Sequence, residues 1–91
     1  MSRIDIGHGV SIEFAEYKGK IVGLHEYHSN KKDPSKPCQG FVWFNVETEA
    51  RCQGSPTWEV LSMDPLTLAP SILCLSCGNH GFIRDGKWVP A

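Results

Sequence analysis

Apolar residues fall on every second position through the start of this chain: Ile4 and Ile6, then Val10, Ile12 and Phe14, with a Gly-His-Gly run between the two sets. A strand sends successive side chains to opposite faces, so this spacing predicts two half-buried strands joined by a tight turn. The run "KIVGLHEYH" continues the pattern, with Val22 and Leu24 on one face. Phe14, Tyr17, Ile21 and Leu24 also carry a helical spacing. Gly19 and Gly23 interrupt it, and each costs about 1 kcal/mol in a helix interior, so the strand is preferred.

The remainder reads in the same way. "SNKKDPSKP", residues 29 to 37, is a polar loop with two prolines and three lysines. "GFVWFNV" follows as the most apolar segment and is expected to be a central strand buried on both faces. "ETEARCQGSP" is a second loop. "TWEVLS" alternates again, placing Trp58 and Val60 on one face, and the prolines of "MDPLTLAPSIL" suit an edge or an extended segment. Asp85-Gly86 is a hairpin signal near the end of the chain. The expected architecture is a small all-β antiparallel domain spanning residues 1–91, with little or no helix.

A chain of 91 residues has room for one core, and its 22 Ile, Leu, Val and Phe residues exceed what a disordered chain carries. That core is thin, and a cross-link would stabilise it. The formal net charge of -1, with basic residues scattered, argues against a general electrostatic grip on nucleic acid or anionic membrane. The N-terminal residues lack the apolar run of a signal peptide, and no later stretch is long enough to span a bilayer, so a cytoplasmic protein is expected. Four cysteines are too few for a secreted disulfide scaffold, and a Cys-x-x-Cys pair in a reducing compartment is more often a metal or redox motif.

That pair is Cys74 and Cys77 in "SILCLSCGNHGFI", with His80 three residues further on. Zinc favours thiolate sulfur and imidazole nitrogen in a tetrahedral array, and Gly78 permits the tight backbone of a zinc-ribbon-like knuckle. With a strand resuming at His80, its ring is expected to lie over the same ion. The fourth ligand must come from far away in sequence. Cys38 is the first choice, because it ends the proline-containing loop and precedes a Gln-Gly corner. His28, on the strand face of Val22, Leu24 and Glu26, is the alternative to Cys74, which could instead be a small buried residue ending its strand. The expected site is therefore Cys38, Cys74, Cys77 and His80 around zinc. Cys52 reads as a free thiol and His8 as a turn residue.

Leu68, Pro70, Ser71, Ile72, Cys77, His80, Phe82, Ile83 and Gly86, with Trp58 upstream, make the C-terminal third similar to an uncharacterised family of small bacterial and bacteriophage proteins. Versions resembling "CGNHGFIRDGKWVPA" look phage-encoded. The resemblance implies a metal-binding fold and no activity, and some relatives appear beside ubiquitin-like conjugation genes, which implies a protein partner. The enzyme motifs tested against the residues fit poorly. A zinc deaminase needs His-x-Glu and Pro-Cys-x-x-Cys, and a metalloprotease needs His-Glu-x-x-His, whereas "HEYH" is a residue short and Leu73 precedes Cys74. A site closed by four protein ligands has no position for an activating water. The expectation is thus a zinc-binding β module without catalytic activity that binds another protein, phage or host. The alternatives are a virion or assembly component, a nucleic-acid-binding zinc protein acting through Lys31, Lys32 and Lys36, and a metal-dependent hydrolase.

Overall fold

A computed structural model describes residues 3–91. The alternating segments form strands β1 (Ile4–Gly7), β2 (Val10–Tyr17), β3 (Lys20–Ser29), β4 (Pro37–Trp43), β5 (Glu59–Met63), β6 (Leu66–Ala69), β7 (Ile72–Leu73), β8 (His80–Arg84) and β9 (Lys87–Pro90). Among the described residues there is no helix, and every strand pair is antiparallel, with one isolated parallel bridge between Phe44 and Trp58. The protein is all-β, as the period-two pattern requires.

β1 to β4 form a meander in the order β1-β2-β3-β4, β5 and β6 form a hairpin, and β7-β8-β9 form a three-stranded sheet. Two-residue turns at His8-Gly9, Lys18-Gly19 and Asp85-Gly86 have both residues at positive φ, the geometry whose twist matches that of flanking strands. The first and third are the Gly-His-Gly and Asp-Gly signals. The turn at Lys18 is also what breaks the helical spacing of Phe14, Tyr17, Ile21 and Leu24.

One face of the meander supplies Ile6, Val10, Ile12, Leu24 and Val42 to the core, and Phe44 continues it just beyond β4. Leu66, Leu68, Ile72, Ile83 and Trp88 close it from the other two sheets. Leu24 and Ile83 are fully buried. Trp88 lies so tightly over β8 that a Cβ on Gly81 would stand 2.5 Å from its ring, which fixes glycine there on packing grounds.

The apolar segment "GFVWFNV" is not central. β4 is an edge strand, and β3 is the strand with both neighbours and the greater burial. The excess hydrophobicity of β4 lies on the outer face of the meander, where Phe41 packs edge-on against His25 at 4.9 Å and against Trp43 at 4.6 Å. Surface aromatic stacking, rather than a second buried face, accounts for the composition of the segment.

Candidate functional site

His28 and Cys38 are directly opposed in the β3–β4 ladder, so their side chains leave the sheet side by side. Cys74 and Cys77 belong to the turn joining β7 to β8. Gly78 N–H donates to the Cys74 carbonyl at 2.7 Å and Cys74 N–H to the Asn79 carbonyl at 2.8 Å, which folds the turn into a knuckle. The two halves meet. Cys38 Sγ lies 3.4 Å from Cys74 Sγ, His28 Nε2 lies 3.2 Å from Cys77 Sγ, and all four ligand atoms fall within 4.8 Å of one another. Ligands at about 2.3 Å from a tetrahedral zinc stand about 3.8 Å apart, so this donor set fits a metal of that size.

The surroundings favour the same chemistry. Both carboxylate oxygens of Glu26 lie 2.8 Å from His28 Nδ1, so Nδ1–H donates to the carboxylate and leaves Nε2 free to ligate. This carboxylate–histidine arrangement is the usual outer support of a metal-bound imidazole. Burial pushes the Glu26 carboxyl above its ordinary range, offset in part by His28. Burial of His28 opposes its charged form, but bonds to Cys77 and the Glu26 charge outweigh it and raise its pKa. Backbone N–H groups of Lys31 and Asn79, together with His28, lower the Cys77 thiol to about 6, while the neighbouring Cys74 pushes Cys38 up to about 11.

Glu26, His28 and Cys77 in sequence also have the outline of a cysteine-nucleophile triad. Cys77 is only 3 % exposed and two further thiols converge on it, which is the environment of a ligand rather than of a sulfur that must meet a substrate.

His80 is not among these donors. The expected set of Cys38, Cys74, Cys77 and His80 is corrected at one position: Cys74 stays within the group, and His28 takes the place given to His80. The reason is strand alternation. Ile72, Gly81 and Ile83 face the core, so His80, paired with Leu73 at the start of β8, points out of the opposite face.

On that outer face His80 meets Ser71. Its Nε2 lies 2.9 Å from Ser71 Oγ. With the ring proton on Nδ1, Nε2 accepts the Ser71 hydroxyl proton, which is the ground-state contact of a serine nucleophile with its base. Trp58 Nε1–H donates to the Ser71 carbonyl at 3.1 Å and fixes that backbone from the core side. Among the described residues no carboxylate is bonded to the His80 ring, so the arrangement is a pair rather than a triad. Ser71 is half-buried and His80 exposed, so the contact is open to solvent.

In the sequence, Pro70-Ser71-Ile72 stands out only through the family resemblance, and His80 suits a metal ligand. A serine nine residues before a histidine, across a short hairpin, was the available signal.

The lysines of the 29–37 loop are otherwise engaged or simply exposed. Asn30 Oδ1 accepts the Lys32 and Asp33 N–H groups, Ser35 bonds Asp33, and Lys36 Nζ lies 3.7 Å from the Asp33 carboxylate. Lys31 faces Cys77 through its backbone N–H. Cys52 is a free exposed thiol, and no helix is long and apolar enough to cross a membrane.

Fold and site together define a small all-β protein with a thiol-and-imidazole cluster compatible with a metal ion and an exposed serine–histidine contact. The chain belongs to a family described as bacterial ubiquitination-like system serine protease, BubE, whose model matches residues 36–91. The matched span contains Ser71, His80 and three of the four donors, Cys38, Cys74 and Cys77. No curated protein and no solved structure matches the chain. The family description overturns the expectation of a module without catalytic activity. That expectation arose because the only site legible in the sequence was a closed metal site, and the pair that can do chemistry exists only where β7 and β8 meet.

Proposed function

We propose that this chain is a serine peptidase acting on polypeptides of a ubiquitin-like conjugation system, with Ser71 as nucleophile and His80 as general base. In this reading Ser71 Oγ attacks the substrate carbonyl carbon while its proton passes to His80 Nε2. The tetrahedral intermediate then collapses, the C–N bond breaks, and His80 returns the proton to the departing amine. Water, activated by the same imidazole, cleaves the resulting acyl-serine ester and regenerates the hydroxyl. The observation that carries this is the 2.9 Å contact between Ser71 Oγ and His80 Nε2 in a chain of a serine-protease family.

The metal is zinc in this reading, held by His28, Cys38, Cys74 and Cys77. Four protein ligands close its coordination, so it stabilises the fold and offers no open position to substrate or water. The open face around His80 suits a folded protein substrate with an extended segment better than a small molecule.

The test uses the full chain, the cognate ubiquitin-like protein bearing a C-terminal extension or a conjugate, and a fluorophosphonate probe. Wild type cleaves the substrate and is labelled at Ser71. Ser71→Ala and His80→Ala retain the wild-type metal content and melting temperature and lose cleavage by at least about a thousandfold. Cleavage that survives Ser71→Ala removes the assignment.

A further inference from the structure

We infer that the metal knuckle is the positioning element of the Ser71–His80 pair, so that acylation of Ser71 depends on metal binding at the knuckle. This rests on the reading of Ser71 and His80 as the catalytic pair.

The spacing is symmetric. Ser71 stands three residues before Cys74, and His80 three residues after Cys77. The segment linking nucleophile to base is thus β7, the knuckle and the first residue of β8. β7 is two residues long, pairs among the described residues with β8 alone, and holds it through two register pairs, Ile72–Gly81 and Leu73–His80. A ladder this short has little stability of its own. What continues the alignment is the knuckle, where Cys74 N–H bonds the Asn79 carbonyl one residue before His80.

The knuckle is tied to the rest of the molecule at both ends. Cys74, on the Ser71 side, meets Cys38 of β4, and Cys77, on the His80 side, meets His28 of β3. His28 and Cys38 are themselves locked in one register pair of the meander. One ion bound to all four would fix the hairpin to a rigid sheet at two points that lie between Ser71 and His80 in sequence. Without it Ser71 keeps its Trp58 bond, but the β7–β8 separation that sets Oγ against Nε2 loses its clamp. A displacement of about 1 Å in such a contact lowers the rate by about 10²-fold.

A matched pair of variants tests this at saturating zinc: Cys74→Ser, which frees the hairpin side, and Cys38→Ser, which frees the sheet side. Each removes one half-buried thiol and leaves three donors. The readouts are the rate of Ser71 labelling by a fluorophosphonate, the 15N shifts of the His80 ring, melting temperature and metal content. The expected result is labelling at least about tenfold slower in Cys74→Ser than in Cys38→Ser, with His80 shifts moved toward those of Ser71→Ala. Equal labelling rates in variants that both retain the metal overturn the inference, because a metal that serves folding alone affects both alike. Metal-free wild type that labels at the full rate overturns it as well, as does a wild type that binds no metal. A metal-loaded wild type that is never labelled at Ser71 instead removes the catalytic reading itself, and the inference with it.

Discussion

Replacing Glu26 by glutamine keeps the shape of the side chain and removes its charge, at a position where the protein has buried a carboxylate for one visible purpose. Glu26 is 3 % exposed, and both of its oxygens lie 2.8 Å from His28 Nδ1. The glutamine amide oxygen can still accept from Nδ1–H. The variant therefore isolates the charge-assisted part of the bond, which raises the basicity of Nε2 toward a metal. Loss of such an outer partner typically weakens metal affinity by about 10- to 100-fold, or about 1.4–2.7 kcal/mol. Because glutamine retains one hydrogen bond, the lower end is expected. Competition against a chromophoric zinc chelator near neutral pH measures it directly. At a fixed free zinc concentration well above both dissociation constants, a tenfold weaker site also lowers stability by about 1.4 kcal/mol, which for a domain of this size is about 5–10 °C in melting temperature. An affinity within twofold of wild type would refute the reasoning, because it would mean the Glu26–His28 bond is not coupled to a metal on Nε2.

Other outcomes follow from the same coordinates. Trp58→Phe keeps an aromatic, though smaller, side chain and removes the N–H that holds the Ser71 carbonyl at 3.1 Å, so Ser71 labelling slows while metal content stays at the wild-type level. Gly81→Ala forces a Cβ to within 2.5 Å of the Trp88 ring and costs about 1–3 kcal/mol, read as a drop in the denaturation midpoint. Ile83→Ala empties a fully buried position and costs about 2–5 kcal/mol in the same assay. Acidification releases the metal, because thiolate and imidazole ligands must be deprotonated to bind. Metal retained after gel filtration should therefore fall as pH is lowered, and Cys52→Ser, at an exposed thiol outside the cluster, should leave that curve unchanged.

How much could be read from the chain differs between fold and site. Strands, turns and the all-β class were legible because they depend on near neighbours: alternation in Ile4–Phe14, the Gly-His-Gly and Asp85-Gly86 turns, and the proline-broken loop after His28. The place of β4 was not, because hydrophobic content does not distinguish a core face from an aromatic surface cluster such as His25, Phe41 and Trp43. Three of the four donors, Cys38, Cys74 and Cys77, were legible as thiols at turn corners. The imidazole was not: His80 is the ligand the sequence suggests, with His28 only the alternative to Cys74. Which imidazole meets the thiols depends on which face of β8 turns inward, and that is set by Trp88 and Ile83 packing against the meander.

The sequence by itself determined that this chain makes short antiparallel strands and that its cysteines suit a metal better than disulfides, since both follow from periodicity and from residue chemistry. Only the tertiary structure decided which donors cluster and what lies beside them. Register pairing sets His28 beside Cys38, and the knuckle carries Cys74 and Cys77 to them. Alternation along β8 then sends His80 away from the cluster, to the far face of the same hairpin and within 2.9 Å of Ser71. Ser71, His80 and two of the four clustered donors, Cys74 and Cys77, thus lie within ten consecutive residues, and which of them meet depends on the face to which the backbone turns each one.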